Sequence, residues 1–205
     1  MNKKNIFLSF TLAFSFLFIS ITVLANHQNL ENSLKNDKRK SHKKENKKVD
    51  VNTIEWLSIE EALERNEKEP RLILIDLYTD WCGWCKRMDQ TTFKNEDVAK
   101  YLGKKYYAVK MDGEFKKPIK VGDQTFKFVD EGRRGYHELA AALMNGQMSY
   151  PTIVILGSDL SKLTIAPGYK DPPMMDKILK YFGEGHNKTT AWTVFDKTYR
   201  SRVKK

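Results

Sequence analysis

Only two of the 205 residues are cysteines, Cys82 and Cys85, and they stand two residues apart in Trp81-Cys82-Gly83-Trp84-Cys85-Lys86. The segment lies where an apolar, strand-like run gives way to a helical stretch. A thiol at a helix start faces unpaired backbone N–H groups and the positive end of the macrodipole. That setting lowers its pKa from about 8.5 toward neutral. Cys82 is therefore the expected nucleophile. Cys85, one helical turn later, is placed to attack a mixed disulfide that Cys82 forms with another molecule, releasing that molecule reduced and closing Cys82 to Cys85. Two cysteines complete such a cycle, and no cofactor beyond the redox-active pair is needed.

Three other uses of two cysteines compete. A structural zinc site needs about four ligands, but beyond residue 52 the only histidines are His137 and His186, far apart in sequence. No metal site is expected. Covalent haem attachment needs a histidine directly after the second cysteine, where this chain has Lys86. A purely structural disulfide stays open, although so small a ring restricts the unfolded chain little.

The elements that must position the pair follow from apolar spacing. Ser58 with Glu61 forms a capping-box signature that opens a helix at Ile59, ending before Pro70. Within Arg71 to Thr79 the continuous run Leu72-Ile73-Leu74-Ile75 predicts a central strand covered on both faces. A helix is predicted from about Cys82 to Gln90, and a second from Glu96 to Leu102 capped by Asn95. The next strand, Tyr106 to Met111, should lie parallel to the first through a right-handed crossover. Between Gly113 and Gly135, Pro118 to Val121 and Thr125 to Phe128 flank Gly122-Asp123-Gln124 as a hairpin insertion. Tyr136 to Met144 reads as a helix. Thr152 to Leu156 reads as a buried strand with Leu163 to Ala166 beside it. Asp171, Pro172 and Gly183 cap, start and stop a helix. In the tail, Trp192, Phe195 and Tyr199 have helical spacing. Packing back on the domain is the simpler expectation, a partner-binding or membrane-surface helix the other.

The formal charge of +10 belongs to the ends of the chain. Val51 to Thr190 carries 21 basic and 21 acidic residues, Asn26 to Asp50 carries 8 against 4, and the segment from Ala191 carries 5 against 1. A basic tail with few aromatics is a solvated linker, so no nucleic-acid partner is expected, and association with an anionic membrane surface suits it better. Residues 1–25 read as an export signal: Lys3 and Lys4 precede an apolar run from Ile6 to Leu24, and Val23-Leu24-Ala25 forms a cleavage site. The run is long enough that an uncleaved anchor is the alternative. Residues 26–52 form a basic linker predicted to be disordered, 53–185 the globular domain and 186–205 a basic amphipathic tail.

The stretch Ile75-Asp76-Leu77-Tyr78-Thr79-Asp80-Trp81-Cys82-Gly83-Trp84-Cys85-Lys86 resembles the active-site strand and turn of thioredoxins. The wording through Asp89, with the insertion, is similar to exported bacterial thioredoxin-like proteins, including the C-terminal domain of the periplasmic thiol:disulfide interchange protein. The resemblance spans roughly Ile54 to Gly183. It implies an α/β thioredoxin fold, a central mixed β-sheet flanked by helices, here with a β-hairpin insertion and a C-terminal helical extension. It also implies that Asp76, six residues before Cys82, assists proton transfer to Cys85, and that Lys110 neighbours this carboxylate. An Asp inside a buried strand independently calls for a partner or a raised pKa. Tyr150-Pro151-Thr152 resembles the family's cis-proline turn, so Pro151 is predicted cis. Trp81, Gly83, Trp84, Tyr150 and Pro151 would form the surface that meets a substrate chain. Gly168 resembles a late family glycine, which a simple turn explains equally well.

The function this implies is protein thiol–disulfide exchange in the periplasm or on an anchored domain facing it, with protein disulfides and dithiols as partners. General reductants of the family have Pro where this chain has Trp84, and the residues between the cysteines influence the direction of electron flow. A reductase is the expected direction and requires a membrane electron donor such as a thiol:disulfide interchange protein. The alternative from another class is a binding module or chaperone-like adaptor with a mostly structural disulfide.

Overall fold

A computed structural model describes residues 54–132 and 134–204. The export signal and basic linker expected at residues 1–52 lie outside these. Five strands form one mixed sheet in the order β1-β3-β2-β8-β9. These are β1 (Trp56–Leu57), β2 (Leu72–Tyr78), β3 (Tyr106–Asp112), β8 (Thr152–Leu156) and β9 (Lys162–Pro167). β3 runs parallel to β1 and β2, while β8 is antiparallel to both β2 and β9. The central strand is β2, and every residue of Ile73 to Leu77 is buried.

The period-two alternation of β2 splits the core into two clusters. Ile73, Ile75 and Leu77 pack with Val109, Met111, Leu139 and Leu143 beneath α1 (Ile59–Lys68) and α4 (Glu138–Leu143). On the opposite face Leu74 packs with Met88, Leu102, Ala108, Met175 and Leu179. That face is covered by α2 (Gly83–Thr91), α3 (Glu96–Lys105) and α5 (Pro172–Gly183). Asp76 has the same parity as Leu74, so its side chain belongs to the α2 face. α1 carries the full Ser58–Glu61 capping box, and Asn95 and Asp171 cap α3 and α5 through their side chains.

Between 113 and 135 the expected hairpin is present, with Gln124 in its second strand rather than in the turn. β4 (Ile119–Val121) and β5 (Gln124–Phe126) pair around the two residues Gly122 and Asp123. A second ribbon, β6 (Phe128–Val129) with β7 (Tyr136–His137), follows it. Tyr136 and His137 were expected to begin a helix. Instead they pair with Val129 and Phe128, and the buried His137 caps α4 by accepting the Leu139 N–H at 3.2 Å. The apolar spacing of Leu139, Ala140 and Leu143 is helical, but it begins only after that cap.

α5 runs through Gly183, and Gly185, at φ 76°, takes the left-handed conformation just past its end. The tail then packs back through α6 (Trp192–Thr198): Phe195 is buried and lies 5.1 Å from the Tyr181 ring on α5. Among the described residues no helix is long and apolar enough to cross a membrane.

Candidate functional site

Cys82 and Cys85 are joined by a disulfide. Cys82 is the extended N-cap residue of α2, and its Sγ accepts the Cys85 N–H at 3.0 Å. Its backbone is tied back by Cys82 N–H to Thr79 O at 3.1 Å, and Lys86 N–H to Cys82 O at 3.2 Å begins the helix. The sulfur thus occupies the place a serine or aspartate oxygen takes at an ordinary N-cap. The first turn of α2 contains no carboxylate, so no side-chain charge on that turn offsets the positive helix end at Cys82.

Beneath this helix lies a buried charge cluster. Asp76 and Lys110 are register partners on β2 and β3, and Lys110 Nζ donates to Asp76 Oδ2 at 2.7 Å. Lys110 also pairs with Asp89, one helical turn beyond Cys85 on α2. The Trp56, Tyr78 and Phe93 rings lie 5.0, 5.1 and 5.4 Å from its ammonium, an aromatic cage that favours the charged form. Burial pulls the Lys110 pKa down, but Asp76 and Asp89 outweigh it and the net shift is upward. Asp76 is fully buried, and its Oδ1 has no hydrogen-bond partner among the described residues. Burial pushes its pKa up to about 6 against the pull of Lys110. A carboxyl that titrates near neutrality, with one oxygen uncommitted, can take up and return a proton under the cysteine helix.

The rim is aromatic. Cys82 and Cys85 are nearly covered, whereas Trp81 and Trp84 are 51% and 58% exposed. The Tyr150–Pro151 peptide bond is cis, and the turn is held by Gly168 N–H to Pro151 O at 2.7 Å and Thr152 Oγ1 to Ser149 O at 2.8 Å. Gly168 sits at φ 85°, so the turn at this position favours glycine over any side chain. Tyr150 meets Trp81 edge to face at 5.9 Å and covers Gly113, where any side chain would overlap its phenol.

The structure therefore brings together Cys82, Cys85, Trp81, Gly83 and Trp84 on one turn, with Asp76 and Lys110 below and Tyr150 beside Trp81. It adds residues the sequence reading did not assign. Asp89 joins Lys110, and its spacing of four from Cys85 on one helix was the signal available for it. Glu114 accepts Trp81 Nε1–H at 2.9 Å, and the Arg134 guanidinium lies 4.2 Å from the Trp81 ring centre. Both come from the insertion, and nothing local in the sequence joins them to Trp81.

Over 76% of this chain and 91% of the other, the fold superposes on a thioredoxin-fold protein from Helicobacter pylori with a TM-score of 0.50 and 17% identity. A DsbH oxidoreductase is similar with a TM-score of 0.46 and 19% identity, over 67% of this chain and 87% of that one. Human spermatogenesis-associated protein 20 is 30% identical over 64 residues, which is 31% of this chain and 8% of that protein. The chain thus spans less than a tenth of the length of the curated relatives it matches. A family model, Thioredox_DsbH, matches residues 31–176. The protein carries a thioredoxin-like fold of the disulfide-oxidoreductase type with a close cysteine pair, and it belongs to the Thioredox_DsbH family, whose description is protein of unknown function, DUF255.

Proposed function

We propose that this protein is a thiol–disulfide oxidoreductase of the cell envelope that reduces disulfides in other proteins. The observation that carries the reading is the Cys82–Cys85 disulfide at the head of α2, with Cys82 Sγ held by the Cys85 N–H and a half-satisfied carboxyl beneath the same helix. In the reduced protein the Cys82 thiolate attacks one sulfur of a partner disulfide, a new S–S bond forms to Cys82, and the partner's other sulfur leaves as a thiolate. Asp76 takes the proton of Cys85. The Cys85 thiolate then attacks Cys82, closing the pair and releasing the partner's second thiolate. Two electrons pass to the partner, which takes up two protons.

The Asp76 carboxylate supports the reducing direction. Negative charge beneath the helix opposes thiolate formation and so disfavours the reduced pair. The reduced form would be regenerated by a membrane thiol donor, and the export signal read at residues 1–25 supports a periplasmic place. The test is a Cys85→Ser variant mixed with a protein carrying an accessible disulfide. It should accumulate a mixed disulfide through Cys82 that added dithiothreitol releases. Absence of that adduct, together with no net reduction by the unaltered chain, contradicts the reading and favours the adaptor.

A further inference from the structure

We propose that Arg134 and Arg87 select partner polypeptides that carry a carboxylate beside their reactive cysteine. The inference rests on the exchange reading and names the substrate class of that site. The two tryptophans beside the pair are exposed, and each has a guanidinium near its ring. Arg134 lies 4.2 Å from the Trp81 ring centre and Arg87 5.7 Å from that of Trp84. A guanidinium carries five N–H donors in one plane. It is weakly hydrated and matched to a carboxylate in bidentate geometry.

Those forks are uncommitted to any acid. Among the described residues no salt bridge forms to Arg134, Arg87 or Lys86. The acids on the Trp81 side have other partners: Glu114 accepts Trp81 Nε1–H, and Asp112 accepts the Glu114 N–H. On the Trp84 side, Gly83, Trp84, Lys86, Arg87 and Gln90 line an open hollow of about 390 Å³ with no acidic residue. The fold takes some trouble to place Arg134. It stands in the loop between β6 and β7, and that ribbon is fastened to the end of β3 by His137 N–H to Gly113 O at 2.8 Å. The two guanidinium groups therefore stand near the two exposed indoles that flank the buried sulfurs. A chain lying across the pair meets them.

The test uses two synthetic peptides, each with one intramolecular disulfide, identical except for Glu or Lys flanking the first cysteine. The reduced full chain is mixed with each at low salt and loss of the peptide disulfide is followed by chromatography. The Glu peptide should react roughly tenfold faster, and the preference should shrink at high salt. In the Arg87→Gln, Arg134→Gln double variant the Glu-to-Lys ratio should fall to about one. The ratio is read within each protein, so a change in overall reactivity cancels. Equal rates for the two peptides with the unaltered chain, or an unchanged ratio in the double variant, overturn the proposal. Neutral hydroxyethyl disulfide is the control: its reduction with no peptide preference sinks the selection alone, whereas failure to react with it sinks the exchange reading as well.

Discussion

Two buried aspartates in this molecule are treated in opposite ways. Asp76, in the centre of the sheet, shares one oxygen with Lys110 and leaves the other unpartnered. Asp176, on α5, gives one oxygen two hydroxyl donors from the tail, Tyr199 at 2.9 Å and Ser201 at 2.6 Å. The neighbouring Lys177 closes the same clasp on Asp196 at 2.6 Å. A buried carboxylate supplied with donors is a fastening. One left short of them bears a cost in stability, and such costs concentrate at sites of chemistry.

The largest effect that sharpens this contrast is on exchange. Cys82→Ser should lower the rate of protein-disulfide reduction by at least about a thousandfold, because the one thiol left, Cys85, is buried behind it. Asp176→Asn should leave that rate nearly unchanged. In stability the order reverses. Phe195→Ala, which empties the centre of the tail clasp, should cost about 3–4 kcal/mol in urea denaturation while the cysteines still exchange.

Asp76→Asn should do the opposite above neutrality. The folded pKa of Asp76 lies at about 6, above its ordinary value of 3.8, so the folded state binds more protons between those values. Stability from this group is full below pH 3.8 and lost as pH rises through 6. The amide removes that loss, so the variant should be more stable at pH 8 by up to about 3 kcal/mol and gain little at pH 4, with Lys110 still paired to Asp89. Loss of stability at pH 8 would make Asp76 a fastening like Asp176 and break the comparison.

The smallest effect is at His137. Burial lowers its pKa, so the folded state binds fewer protons than the unfolded chain and this group's contribution is lost as pH falls below 6.5. The neutral ring donates to Lys117 O and accepts from Leu139 N–H, so acid should loosen the insertion first. Amide hydrogen exchange of residues 117–139 at pH 5 and pH 7 checks this.

Much of the fold was legible because local signals agreed with tertiary ones. The Leu72 to Ile75 run, the caps at Ser58, Asn95 and Asp171, and the helix over Met174 to Phe182 are statements about burial and orphan N–H groups that hold in any context. Tyr136 and His137 misled because their apolar spacing continues that of Leu139, while a strand two residues long has no period to read. At the site, Cys82, Cys85 and Asp76 were readable along the chain. The grip of Glu114 and Arg134 on Trp81 was not, since it depends on where a 20-residue excursion returns, which no local pattern encodes.

The most direct test of the account is equilibration of the Cys82–Cys85 pair in the full chain against glutathione buffers, read by thiol trapping. The account predicts a reversible two-electron transition toward the reducing, thioredoxin end of the range, about −270 mV. A value near −120 mV would contradict the reductase direction. A disulfide that never equilibrates would contradict exchange altogether and leave the cysteine turn as a staple.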